Sequence, residues 1–320
     1  MHTSAHGPVD RATSVGVSPP SVQPGGGRLV RLELAWGKLR RAWLRRWRPQ
    51  YVDRMRAERQ GTCDNCPHDV VDARDLKYVR NVCGYSFARD PFAWRGRLGL
   101  ARHGWIEILC FSFVLAIFSF ASVVAAIAVH WSLWLLTAIV LVLWFEAVYF
   151  FRDPDRATPQ DAAALVAPAD GVVTHIEEIA EPDFPGGRAL RISIFLSVFN
   201  VHVNRVPRSG RITGLRYFRG TFVDARAAEC AVQNEQLWVD IQEPEGRPLR
   251  VKQIAGALAR RIVCWLKLGE EVQKGDRFGM IKFGSRTDIL VPAHDSVELA
   301  VKIGDSVAGG QSVLLRFTME

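Results

Sequence analysis

The sequence predicts a mainly β domain, of β-sandwich or barrel-sandwich type, behind a two-helix transmembrane hairpin and a helical or irregular N-terminal region. Three observations carry this expectation. Residues 106–129 and 133–151 are almost wholly apolar, and runs of roughly 20 residues suffice to cross about 30 Å of hydrocarbon as helices. From Leu165 the texture changes to short strand-like runs with turns at Gly210, Gly220 and Gly246. Within that region, Gly269-Glu270-Glu271-Val272-Gln273-Lys274-Gly275 is echoed by Gly304-Asp305-Ser306-Val307-Ala308-Gly309-Gly310. Both fit Gly-acid-x-Val-x-x-Gly, a pairing of hairpins found in small β-sandwiches such as lipoyl carriers and membrane-fusion adaptors. No lysine sits between apolar neighbours at a hairpin tip, which excludes a carrier and leaves a membrane-anchored, non-enzymatic adaptor as one reading.

Taken in order, residues 1–27 are rich in Ser, Pro and Gly, lack the apolar core of a signal peptide, and are expected to be disordered. Residues 28–60 hold eleven Lys and Arg against three Asp and Glu, which equals the whole net charge of +8. The basicity is therefore local. Leu29, Leu32, Trp36, Leu39, Trp43 and Trp47 recur at steps of three and four, with arginines opposite, so a basic amphipathic helix ending at Arg48-Pro49 is expected. Tryptophan opposite arginine suits an anionic membrane interface better than a packed helix or a nucleic-acid face, and no nucleic-acid partner is expected.

Residues 61–104 form a small Cys/His module. Cys63 and Cys66, with His68 and Cys83, offer four ligands for zinc, although a Cys-x-x-Cys pair also occurs in redox sites. The six cysteines show no disulfide framework and point to a reducing compartment. The hairpin spans 105–151. Arg95, Arg97 and Arg102 precede it, Arg152 and Arg156 follow it, and its connection has no Lys or Arg. By the positive-inside rule both ends are cytoplasmic. The domain at 152–320 then lies on the cytoplasmic face of the cell's inner membrane.

Chemistry is sought in the stretch Gly279–Pro292. Gly284-Ser285 interrupts a strand-like run, which reads either as a bulge or as a place where the carbonyl before Ser285 bends towards the serine hydroxyl. A serine nucleophile needs a base. In Asn200-Val201-His202-Val203-Asn204-Arg205 the polar residues alternate with valines, so a polar row of Asn200, His202 and Asn204 is expected on one strand face. His175 and His294 are the competing bases. Asp170, in Pro168-Ala169-Asp170-Gly171, reads alone as a turn aspartate.

Together these pieces resemble the phosphatidylserine decarboxylases, in particular the short branch with two N-terminal spans. The resemblance rests on Phe150-Phe151-Arg152-Asp153-Pro154, Ala167-Pro168-Ala169-Asp170-Gly171, Asn200 to Arg205, Asn234-Glu235 and Phe283-Gly284-Ser285-Arg286. It covers about 132–320 and leaves 1–104 outside. It implies that Ser285 attacks the Gly284 carbonyl, that the chain separates into pieces 1–284 and 285–320, and that a pyruvoyl group is left at position 285. That group would form a Schiff base with the substrate amine and accept the electrons released with CO₂. His202 is implied as proton acceptor and donor, with Asp170 orienting it. Asn200, Asn204, Arg205, Asn234, Glu235 and Arg286 become candidate substrate contacts, Arg205 and Arg286 for the lipid phosphate or carboxylate. The implied partners are a phospholipid, the membrane and the two pieces of the cleaved chain. A related amino-acid headgroup is an alternative substrate, and exposed strand edges make a homodimer plausible. Where the longer branch has a second histidine, this chain has Arg205. Asn234-Glu235 continues as Gln236-Leu237 rather than the Arg-Asn frequent in the family.

Overall fold

The structure, a computed structural model, describes residues 27–318 apart from 65, 92, 97, 228, 258–260 and 283. The disorder expected for the first residues, and Phe283 of the candidate cleavage motif, lie outside that set.

The β domain is built around its strand Ser285–Pro292. In the eight-stranded antiparallel sheet the order is Glu271–Val272, Gly210–Phe218, Gln236–Gln242, Pro248–Ala255, Ser285–Pro292, Arg188–Leu196, Gly171–Ala180 and Ser306–Val307. Every residue of Ser285–Pro292 is buried. Ser285 sits at its first position, opposite Leu196 on one side and Ala255 on the other. Two three-stranded sheets complete the domain: Arg261–Cys264, Arg277–Lys282 and Val203–Arg205 in one, Val297–Leu299, Val313–Phe317 and Ala164–Val166 in the other. Side chains from all three sheets, including Leu165, Ile194, Val239, Ile262, Phe278 and Leu315, share one apolar core. The echoed segments supply the two outermost strands of the large sheet. Val272 pairs with Gly210 and Val307 with Gly171, so the copies hold equivalent places at opposite edges.

Helices Trp105–Ala128 and Trp134–Phe150, the latter extended by a 3-10 turn from Trp131, form the expected hairpin. Both are long and apolar enough to cross a membrane. Ser122 and Thr137 hydroxyls are bonded across the pair at 2.9 Å, and Trp144 Nε1 donates to Ser112 Oγ at 2.9 Å. At its foot the hairpin is part of the protein core: Ile108, Phe150 and Phe151 pack with Ala101, Val201, Val203 and Met280. Gly104 permits this closeness, because a Cβ there would lie 2.1 Å from the Phe151 ring.

The N-terminal helix Gly27–Trp47 is amphipathic as expected, and its charged face is the one packed on the protein. Arg40 meets Asp72 and Asp75 at 2.6 and 2.7 Å, Arg41 meets Asp75 at 3.0 Å, and Glu33 is buried. Leu32, Trp36, Leu39, Trp43 and Trp47 point outward, exposed. A second helix, Pro49–Glu58, begins at the expected proline. The module beyond it docks on the β domain through Arg80–Glu270 at 2.7 Å and Lys267 Nζ to the Tyr85 carbonyl at 2.9 Å.

Phe151 is fully buried where hairpin and β domain meet. Phe151→Ala should therefore lower unfolding stability by about 3–5 kcal/mol. Val232→Ala, at an exposed position, should change it by less than about 0.5 kcal/mol. Denaturant midpoints in detergent micelles compare the two.

Candidate active site

A positive φ is the first sign that the Gly284–Ser285 peptide is special. Gly284 adopts φ +65°, in the left-handed region, and among the described residues none beyond its chain neighbours comes within 4 Å of where its Cβ would be. Its carbonyl approaches Gly256 so closely that a Cβ on Gly256 would sit 2.6 Å from the oxygen. Ser285 is fully buried, and its Oγ has no hydrogen-bond partner among the described residues. A buried hydroxyl left without a bond is costly, and such groups are kept where chemistry uses them.

His202 supplies the neighbouring base. Its Nδ1 lies 2.9 Å from the Asn200 carbonyl, and its Nε2 accepts from the Gly284 N–H at 3.2 Å. A carbonyl can only accept and an amide N–H can only donate, so the proton is on Nδ1 and the Nε2 lone pair faces the N–H of Gly284, the residue before Ser285. The Phe150 ring, at the end of the second apolar helix, covers the imidazole with centroids 4.4 Å apart. Burial pushes the His202 pKa down to about 4, helped by nearby Arg152 and resisted by the bond to Asn200. The base is thus neutral at physiological pH.

The expected polar row does not lie on one strand: the strand is Val203–Arg205, and Asn200 and His202 belong to the turn before it. Val201 and Val203 pack against the hairpin foot. Asn204 Nδ2 donates to Thr287 Oγ1 at 3.2 Å, and its Oδ1 accepts from Gln253 at 2.7 Å. Asn200 Oδ1 accepts from both the backbone and hydroxyl of Ser197, which shapes the turn that presents the His202 acceptor. Asn234 ties Val223 to the Ala255 carbonyl, at 2.8 and 2.6 Å, and so fixes the backbone leading into Gly256. Glu235 is buried beside Tyr217, and burial raises its carboxyl pKa.

Other candidates are placed differently from expectation. Asp170 does not meet His202; it bonds Arg156 Nη2 at 2.7 Å and the Gly309 N–H at 2.7 Å. The Asn200 carbonyl, two residues before the histidine, already satisfies Nδ1. Arg286 is fully buried against Asp288 at 2.7 Å and Ser193 Oγ at 2.8 Å. Arg205 is buried against Asp153 at 3.1 Å and the Pro154 carbonyl at 2.8 Å. Neither guanidinium is free for a headgroup. Arg152 lies at the hairpin foot, stacked on Tyr149 and bonded to the Tyr149 and Phe199 carbonyls. Sequence reasoning used Arg152 for topology and as part of the Phe150–Pro154 resemblance motif without giving it a site role, and it missed Gly256, whose sole signal is a glycine just after a strand.

Of the four expected zinc ligands, three sulfurs converge: those of Cys63, Cys66 and Cys83 lie within 4.8 Å of one another. Cys63 and Cys66 are joined as a disulfide, against the all-thiol expectation, and Cys83 Sγ is 2.7 Å from Cys66 Sγ. His68 stands apart from the group, its Nε2 buried and its pKa lowered by burial.

A family model described as phosphatidylserine decarboxylase matches residues 146–315. A phosphatidylserine decarboxylase proenzyme from Rhodopirellula baltica is 39% identical over 246 residues, covering 76% of this chain and 99% of that protein. One from Symbiobacterium thermophilum is 43% identical over 217 residues, 68% of this chain and 95% of the relative. One from Desulfotalea psychrophila is 43% identical over 180 residues, 56% and 83% respectively.

The geometry at His202 predicts its titration. In the Ser285→Ala chain, which keeps the 284–285 peptide whole, the His202 ring ¹⁵N shifts should turn over near pH 4, and the Gly284 amide should follow them. Because the unfolded histidine takes up a proton at about 6.5, this site makes stability rise with pH between about 4 and 6.5 and level off above. A midpoint between 6 and 7 would contradict the buried, neutral assignment.

Proposed function

The chain belongs to the phosphatidylserine decarboxylase family and is a decarboxylase; from that premise we propose that it cuts its own backbone between Gly284 and Ser285. The pyruvoyl group so formed from Ser285 then serves to convert phosphatidylserine to phosphatidylethanolamine and CO₂. The observation that carries this reading is the buried Ser285 Oγ, without a hydrogen-bond partner among the described residues, next in the chain to Gly284, whose N–H donates to the neutral His202 Nε2.

In the cut, Ser285 Oγ bonds to the Gly284 carbonyl carbon and its proton moves to His202 Nε2. The C–N bond breaks, the Ser285 nitrogen takes the proton, and an ester joins the two residues. Nε2 has one lone pair, so the Gly284 N–H must swing away before Nε2 takes the hydroxyl proton. The bare Cα of Gly256 leaves room for the oxygen as the carbon becomes tetrahedral. Loss of the Ser285 Cα proton then expels Gly284 as a carboxylate, and water replaces the nitrogen, released as ammonia. The remaining ketone supplies an acceptor for the electron pair that CO₂ leaves behind. His202 Nε2 is again the atom placed to deliver a proton to the substrate carbon. Arg152, at the hairpin foot beside the exposed Phe199, is the cation best placed for the lipid phosphate.

The two apolar helices support a membrane-anchored enzyme, with the β domain on the cytoplasmic side by the arginine distribution. Cys63, Cys66 and Cys83 support a zinc site in the N-terminal module. Zinc bonded to thiolates at about 2.3 Å needs sulfurs about 3.8 Å apart, within reach of this cluster once reduced. Zinc there would be structural, joining the segments around residues 63 and 83.

Intact-mass measurement tests the cut. Wild-type protein should give pieces ending at 284 and beginning at 285 with a keto end group, and Ser285→Ala should remain a 320-residue chain. Gly256→Ala should slow cleavage by about tenfold or more. Active wild-type material found unbroken would sink the proposal. CO₂ release from serine- and threonine-headed lipids ranks the substrates. Separately, metal analysis of reduced protein should find about one zinc per chain, lost in Cys66→Ser; equal metal in both would remove the zinc site.

A further inference from the structure

Strand Arg277–Lys282 leads into the Gly284–Ser285 peptide, and its last residue is a buried lysine. Lys282 Nζ leaves the β domain to pair with Glu107 Oε1, in the first turn of helix Trp105–Ala128, and donates to the His103 carbonyl at 3.0 Å. Arg261, which stands opposite Lys282 across the sheet, also reaches Glu107 Oε1, at 2.8 Å. Its other arm lies 3.5 Å from Glu33 Oε2 of the N-terminal helix, and Glu33 Oε1 lies 3.2 Å from Lys77 Nζ. The Lys282 and Glu107 side chains are 2% and 3% exposed. Five charges of alternating sign thus run from the N-terminal module, through the start of the first apolar helix, to the residue two before Gly284.

Buried ion pairs contribute little net stability, since desolvation offsets their attraction, but they fix geometry. Here the geometry concerns the approach to the reacting peptide. We propose that Glu107 is a positioning residue for self-cleavage: by holding Lys282 and Arg261 at the end of strand Arg277–Lys282 it sets where Gly284 lies against His202, so that the cut waits until the hairpin is seated. The inference rests on the reading that the chain cuts itself.

The test follows the appearance of pieces 1–284 and 285–320 in full-length protein made in membrane vesicles of phosphatidylethanolamine and phosphatidylglycerol. Lys282→Met leaves Glu107 paired with Arg261 and so strands no charge; it should cleave about 10- to 100-fold more slowly, the penalty of a small misplacement. Glu107→Gln should be at least as slow, Glu107→Asp intermediate, and Lys282→Arg within a few-fold of wild type. Once cleaved, each variant should show a KM for phosphatidylserine within about twofold of wild type, a split that general loss of structure would not produce. If Lys282→Met and Glu107→Gln cleave at the wild-type rate, or if KM rises in step with the loss of cleavage, the inference fails. Failure of wild-type protein itself to cleave would instead remove the reading on which it rests.

Discussion

A peptide bond buried at the head of a central strand can be cut only by a group already lying beside it. Ser285–Pro292 is hydrogen-bonded on both sides and sealed from solvent along its whole length. A protease needs several residues of unpaired extended chain, which this strand does not offer. In the proposed cut the nucleophile comes from the chain, and Ser285 is the residue at the bond. That break would fall before the first paired residue, so the ladder would survive it. The piece 285–320 would keep its pairing with Arg188–Leu196 and Pro248–Ala255, and its later strands Ser306–Val307 and Val313–Phe317 stay in the sheet edge and the third sheet. The proposed reaction therefore changes covalent structure without dismantling the core.

That seal also decides the electrostatics. The charges nearest the reacting strand are satisfied within the protein: Arg286 by Asp288, Arg205 by Asp153, Lys282 by Glu107. Removing one partner of such a pair leaves a charge stranded in a poorly solvating interior, which costs far more than the pair contributes. These residues consequently read as scaffold, however much an arginine beside a reactive serine suggests anion binding in a sequence. Arg152 differs because its bonds are to neutral carbonyls and its position is at the hairpin foot, where a lipid headgroup would arrive.

Much of this architecture was legible beforehand. Hydropathy gave the hairpin, since length and apolarity alone specify it. The Gly-acid-x-Val-x-x-Gly echo announced two equivalent hairpins, which became the two edges of one sheet. The nearness of His202 to Ser285 followed from the resemblance, not from spacing, because 83 residues separate them. What periodicity could not say was which face of an amphipathic helix turns inward. In Gly27–Trp47 the arginines face the protein because Asp72 and Asp75, some thirty residues on, await them. Complementary charge from a distant segment overrode the usual rule that apolar faces go in. Gly256 was hidden for a similar reason: its value lies in a carbonyl that approaches from another strand.

The misplaced partner of His202 carries a chemical consequence. A carboxylate on Nδ1 would hold the ring as an imidazolium and raise its pKa. The Asn200 carbonyl orients the ring equally well but carries no full negative charge, so burial prevails and the pKa falls to about 4. A histidine of that kind holds a proton weakly. One taken from the Ser285 hydroxyl is passed on readily to the departing nitrogen, and the ring returns to neutrality beside an apolar Phe150. Asp170, freed from that task, instead binds the Gly309 amide and Arg156, closing the second copy of the echoed turn onto the sheet. Orientation and charge, which one aspartate could have supplied together, are separated here: the backbone does the orienting, and the absence of charge keeps the base able to let go.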